Sequence, residues 1–232
     1  MLELAGVDAF YGDSHVLQDV SFAVRAGACF GLLGRNGVGK TTTLRTVLGY
    51  LRARNGTIRF DGEAIEGRPT YEIVRRGISY VPEDRGIFRS LTVEEHLRVA
   101  DRAAGHHERL SVEDVYGLFP RLAERRRNLG GQLSGGEQQM LAIARALVGS
   151  SRFVIMDEPT EGLAPVVIEQ ISQAIRRLRA NGTTMLLVET NFHVARAVCD
   201  ECCLLDRGRV VFQGAMAELA PDSEIVKSFI GV

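Results

Sequence analysis

Gly34-Arg35-Asn36-Gly37-Val38-Gly39-Lys40-Thr41 is the stretch from which the rest of the chain can be read. It has the spacing G-x-x-x-x-G-K-[ST] of a phosphate-binding loop. The apolar run Cys29-Phe30-Gly31-Leu32-Leu33 before it reads as a buried strand, and Thr41-Thr42-Thr43-Leu44 after it as the start of a helix. Strand, loop and helix in that order are the context the pattern requires. Glycines let the backbone fold tightly and turn its N–H groups toward an anion, and the helix N-terminus adds the positive end of a dipole. The spacing therefore wraps Gly34, Arg35, Asn36, Gly37, Val38 and Gly39, together with Thr41 and Thr42, around phosphates. Lys40 reaches the β- and γ-phosphates, and the Thr41 hydroxyl ligates Mg²⁺.

A second run, Phe153-Val154-Ile155-Met156-Asp157-Glu158, is an apolar strand carrying two acids at its C-terminal end. Ligands of open α/β sheets bind at that end. Asp157 is placed to hold Mg²⁺, directly or through water, and Glu158 to orient or deprotonate a water attacking the γ-phosphate. Two carboxylates beside phosphate repel it unless a cation lies between them.

The third is Leu133-Ser134-Gly135-Gly136-Glu137-Gln138-Gln139. Ser134 and Glu137 fit a capping box, and Met140, Ala144, Leu147 and Val148 line one face of the helix that follows. Two glycines in the first turn lower helix stability but bare the backbone N–H groups, which makes an anion site. The first loop already serves one nucleotide. A second phosphate-binding helix end hints at a site shared by two chains.

Composition narrows the class. The chain has 232 residues, 45% hydrophobic and 25% charged, as expected of a soluble globular protein with one or two structural units. Its net charge of −1 and lack of a basic excess argue against a nucleic-acid partner. No apolar run approaches the about 18 residues of a membrane helix. Met1-Leu2-Glu3-Leu4 lacks the basic region and apolar core of a signal peptide. The expected setting is cytoplasmic, with any membrane link made through a partner. Cys199, Cys202 and Cys203 cluster below His193, but a zinc site needs a second matched pair, and only the distant Cys29 remains. A buried strand beginning at Cys202 accounts for them better.

Along the chain, residues 2–7 and 20–24 read as strands of an antiparallel edge sheet, separated by a turn at Phe10-Tyr11-Gly12. A helix over about 41–49 and strands at 56–60 and 78–81 follow. From about 91 to 150 the chain reads as a helical insertion, with capped starts at Thr92 and Ser111 and a solvated arginine run at 125–127. The core resumes with the strand at 153, a helix from Pro165 to about 179, a strand at 183–188, and a hairpin turning at Arg207-Gly208. The expected fold is α/β: a nucleotide-binding core with an antiparallel β edge over 1–90 and 151–232, and a helical part over about 91–150.

Together these motifs resemble the ATP-binding subunit of ABC transporters, along the whole chain. Leu133–Glu137 is similar to that family's signature motif. A finer likeness to subunits serving importers of branched-chain amino acids, amides or urea rests on Val81-Pro82-Glu83, Gly86-Ile87-Phe88, Leu118-Phe119-Pro120-Arg121-Leu122, residues 135–146 and Glu161-Gly162-Leu163-Ala164-Pro165. The resemblance implies a RecA-like P-loop core with a helical subdomain, and ATP and Mg²⁺ as cofactors. It implies two ATP held head to tail between paired subunits, each facing the partner's Ser134, Gly135, Gly136 and Glu137. The resemblance further implies that Tyr11 stacks on adenine and that residues 161–165 cross the dimer interface. The implied partners are a second ATP-binding subunit, two transmembrane permease subunits and an extracytoplasmic solute-binding protein, at the cytoplasmic face of the cell membrane. A permease helix is expected near residues 84–110, with Phe88, Leu91 and Val93 as candidates for the groove floor or for ordinary packing.

Two positions depart from the wider family. Glu83 stands where most members have Gln; a carboxylate there still ligates Mg²⁺ and positions water, and Asp84 makes the loop more acidic. Thr190 stands where most place a His on the γ-phosphate; it donates one hydrogen bond and carries no charge. Slower hydrolysis is expected, with His193, one turn on, as a weak substitute. A soluble ABC-type ATPase on ribosomes or DNA fits less well, for want of a second ATPase unit or a coiled coil. A regulator that holds ATP without turnover is opposed by Glu158 and kept open by Thr190.

Overall fold

The computed structural model describes residues 1–104, 107 and 109–230; part of the groove segment expected at 84–110 lies outside them. Alternating burial along β1 (Leu2–Tyr11) and β2 (Ser14–Val24) marks strands with one face inward. They form an antiparallel sheet in the order β2-β1-β4-β5 with β4 (Ala53–Phe60) and β5 (Glu63–Ala64). The expected turn at Phe10-Tyr11-Gly12 sits later, because β1 runs through Tyr11 and pairs it with Ser14. Gly56 lies inside β4 at φ 86, where a Cβ would stand 2.3 Å from the Gly6 carbonyl oxygen.

The second sheet is β10-β9-β3-β8-β7-β6. Its strands are β3 (Cys29–Leu33), β6 (Ile78–Val81), β7 (Phe153–Asp157), β8 (Thr184–Glu189), β9 (Glu201–Asp206) and β10 (Arg209–Ala215). All neighbours pair in parallel except the β9–β10 hairpin. β3, β7 and β8 are buried at every position, as strands covered on both faces must be. The period of two then sorts their side chains. Phe153 and Ile155 face α1 (Lys40–Val47) and the antiparallel sheet, while Val154 and Met156 face the helices.

Those helices are α3 (Val93–Ala103), α4 (Val112–Leu118), α5 (Pro120–Glu124), α6 (Gly135–Gly149), α7 (Pro165–Ala180), α8 (Phe192–Val198) and α9 (Glu224–Phe229). A short α2 (Thr70–Val74), absent from the sequence reading, precedes β6. Capping boxes start α3 at Thr92, α4 at Ser111 and α6 at Ser134. Helix α6 is buried nearly all round, because α3 packs on it as well as the sheet. Val93 is fully buried, so it is packing beneath the helices and no groove floor, whereas Phe88 is exposed. All four cysteines are buried and free. Cys29, far away in sequence, places its Sγ 3.7 Å from that of Cys199.

Candidate active site

The P-loop turns at the C-terminal end of β3, the middle strand between β8 and β9. Gly34 has φ 149, and a Cβ there would stand 2.4 Å from the Leu205 carbonyl oxygen, so only glycine lets the loop pass β9. Helix α1 then begins after Gly39 with no side chain capping it, which leaves its first N–H groups for a ligand. Val38 turns its side chain into the core and its carbonyl accepts from Gly208 N–H at 2.8 Å, so Val38 can offer a ligand only its N–H.

A cavity of about 270 Å³ opens here, lined by Asn36, Gly37, Gly39, Lys40, Thr41, Thr42, Glu83, Glu158 and Glu161. Lys40, 4% exposed, donates from Nζ to the carbonyls of Gly34 and Arg35 at 2.9 Å and lies 3.2 Å from Glu158 Oε1. Glu158 holds φ 47, a strained backbone for a glutamate, and among the described residues its buried Oε2 has no partner. Asp157 is 1% exposed; its Oδ2 accepts from the Tyr80 hydroxyl at 3.2 Å, and among the described residues its Oδ1 has no partner. Burial pushes the Asp157 carboxyl up to about 6; the Tyr80 hydrogen bond opposes the rise, and the nearby charges of Glu158 and Glu83 add to it. Two buried carboxylate oxygens without donors are costly unless a cation or water meets them.

The structure thus brings together Asn36, Gly37, Gly39, Lys40, Thr41, Thr42, Glu83 and Glu158, with Asp157 behind them. Gly34 and Arg35 present their carbonyls to Lys40. Tyr11 stands outside the cavity at the end of β1, 43% exposed, its hydroxyl accepting from Arg45 of α1 at 3.2 Å. Thr190, half-buried just past β8, does not line the cavity, and His193 is exposed on α8.

Ser134, Gly135 and Glu137 also lie outside it, at the start of α6, with Ser134 and Gly135 exposed. Ser134 N–H donates to Glu137 Oε2 at 2.9 Å, and Glu137 N–H to Ser134 Oγ at 3.3 Å. Gly136 is buried, and a Cβ there would stand 2.7 Å from Val167 Cγ1, so its smallness also serves the packing of α7 on α6.

Two further acids join the site. Glu161 lines the cavity, and the neighbouring Glu158 carboxylate, burial and the charge of Glu83 hold its carboxyl above the usual range. Its spacing three residues after Glu158 was visible in the sequence, but not its direction. Glu189 ends β8 fully buried. Burial pushes it up to about 7, against hydrogen bonds from Thr160 Oγ at 2.7 Å and Asn191 N–H at 3.3 Å. An acid closing an apolar strand was its only sequence signal.

Comparison with known proteins follows the same lines. The ABC transporter family matches residues 17–161. BraG of Pseudomonas aeruginosa, a high-affinity branched-chain amino acid transport ATP-binding protein, is 40% identical over 232 residues, all of both chains. The lipopolysaccharide export system ATP-binding protein LptB of Haemophilus influenzae is 33% identical over 225 residues, 95% of this chain and 93% of LptB. A solved ATP-binding subunit of an ABC transporter superposes with a TM-score of 0.80 at 32% identity, covering 94% of this chain and 91% of that one. With matches of this length around such a cavity, the chain belongs to the ABC transporter family, as a subunit that binds and hydrolyses ATP.

Proposed function

We propose that this chain powers the uptake of branched-chain amino acids, working as one of two ATPase subunits paired head to tail beneath a membrane permease. The observation that carries the solute class is the end-to-end match to BraG at 40% identity, against 33% for the export protein LptB. Amides and urea are the solutes of the related subunits that the motifs resemble.

The donors suit Mg²⁺, a hard cation that takes oxygen ligands. The Thr41 hydroxyl and Glu83 carboxylate line the cavity, and Asp157 Oδ1 is buried without a partner. When bound, Mg²⁺ neutralises phosphate charge. The chain's own groups do the rest. The bare start of α1 and Lys40 hold the β- and γ-phosphates, Lys40 exchanging the carbonyls of Gly34 and Arg35 for phosphate oxygens. Glu158, held at φ 47 with Oε2 uncommitted, orients and deprotonates the attacking water. The exposed Tyr11 ring offers adenine a stacking face.

Ser134 and Gly135 lie outside their own chain's cavity and are exposed, as groups that close the partner's site must be. Residues 161–165 cross between the subunits. Thr190, just past the end of β8 and outside the cavity lining, has only a single neutral donor to offer the γ-phosphate. Among the described residues no helix is long and apolar enough to span a membrane, so the membrane passage belongs to partners. Their dock is a groove of about 800 Å³ along the β6 edge of the sheet, walled by Tyr50, Val74, Tyr80, Ala100 and Ala103 with Arg75 and Arg145 at its sides. Its apolar wall with a basic margin fits a short amphipathic permease helix carrying an acid.

The test is uptake of labelled leucine into liposomes carrying the purified assembly, solute-binding protein outside and ATP inside. Uptake that is lost with Glu158→Gln is expected. Transport of urea or an amide without leucine overturns the solute, and outward movement overturns the direction.

A further inference from the structure

Tyr80 belongs to two places at once. It is one of the residues lining the large groove, and its hydroxyl donates to Asp157 Oδ2 at 3.2 Å. The strand register explains how one side chain spans both. β6 pairs in parallel with β7 so that Tyr80 lies beside Ile155. Residues two apart share a face, so Ile155 and Asp157 point the same way, and a tyrosine is long enough to reach diagonally to the acid. Among the described residues no other side chain donates to Asp157. That single hydrogen bond commits Oδ2 and, among the described residues, leaves the buried Oδ1 without a partner.

We propose that Tyr80 is a positioning residue linking groove to nucleotide site: an occupant of the groove that turns the Tyr80 ring changes how Asp157 presents its free oxygen to the cation. A donor fixing a ligating carboxylate governs its affinity for metal, and its removal weakens binding 10- to 100-fold in other sites, roughly. Coupling between two sites is reciprocal, so cation binding alters the groove by the same factor. The inference rests on the groove being the permease dock, yet its test uses the full chain alone and is decided separately from that reading.

The test is a double-mutant cycle read as Mn²⁺ affinity by electron paramagnetic resonance with ADP bound. Tyr80→Phe keeps the ring and removes the donor. Ala103→Trp, at an exposed position of the groove wall, fills the groove. Tyr80→Phe is expected to weaken Mn²⁺ about tenfold. Ala103→Trp is expected to shift affinity at least about threefold beside Tyr80 and to have no effect beside Phe, a coupling outside the usual additivity of separated sites. A shift of equal size in both backgrounds, or none in either, overturns the link. Thermal melts of all four proteins verify that they are folded. Failure of the permease to co-purify with the chain would remove the dock and leave this cycle's result intact.

Discussion

Replacing Glu189 by Gln is expected to change how the chain's stability depends on pH. Glu189 is 1% exposed, and burial raises its carboxyl from 4.5 to about 7. Between these values the unfolded chain has lost the proton and the folded chain keeps it. Stability falls with rising pH wherever the folded state binds more protons, so this group costs stability progressively from about pH 4.5 and fully above about 7. At roughly 1.4 kcal/mol per pKa unit the total is about 3 kcal/mol. Glutamine carries no proton to lose. It can accept from Asn191 N–H through its oxygen and donate to Thr160 Oγ through its amide, once that hydroxyl rotates. Packing differences shift both ends of the pH range equally, so the comparison lies in the slope. Urea unfolding at pH 4.5, 6, 7 and 8 should show the variant gaining about 3 kcal/mol on the parent as pH rises. Parallel curves across that range would refute the assignment of a neutral, buried Glu189.

Three further outcomes follow from the site. Glu158→Gln removes the base and the negative charge beside the γ-phosphate, so turnover should fall at least about 10²-fold while ATP holds the chain in a dimer; sizing with ATP and steady-state hydrolysis check both. Asp157 titrates near 6, so Mn²⁺ affinity should fall about tenfold per pH unit below that point, and Asp157→Asn should abolish the dependence. Gly136→Ala puts a methyl 2.7 Å from Val167 Cγ1 and should cost about 1–3 kcal/mol in urea unfolding, with Val167→Ala restoring most of it.

The core strands and α7 were legible because their patterns are local. β6 runs over the four residues expected, and Pro165 opens α7. The capping boxes at Thr92, Ser111 and Ser134 were readable for the same reason, since each is made within four residues. The antiparallel sheet was underread. Register shifts in β1 after Leu4 and Val7, with Gly6 at φ 62, break the alternation that marks a strand. Helix α2 has neither a capping side chain nor a full apolar face to announce it. At the site, the spacing of residues 34–41 and the acids at 157 and 158 carried their own meaning. Tyr80, Glu161 and Glu189 did not, because their roles come from strand register and burial. The nearness of Cys29 to Cys199 was hidden likewise, as β3 pairs with β9 across some 170 residues.

The measurement that bears most directly on the central claim is purification of the tagged chain from its native membranes. Mild detergent, ATP and Mg²⁺ would be present throughout, and mass spectrometry would identify what accompanies it. Two polytopic membrane proteins and a second ATP-binding subunit are the predicted companions. Ribosomal proteins, DNA or no membrane protein at all would contradict the transport role and leave ATP hydrolysis standing without its load.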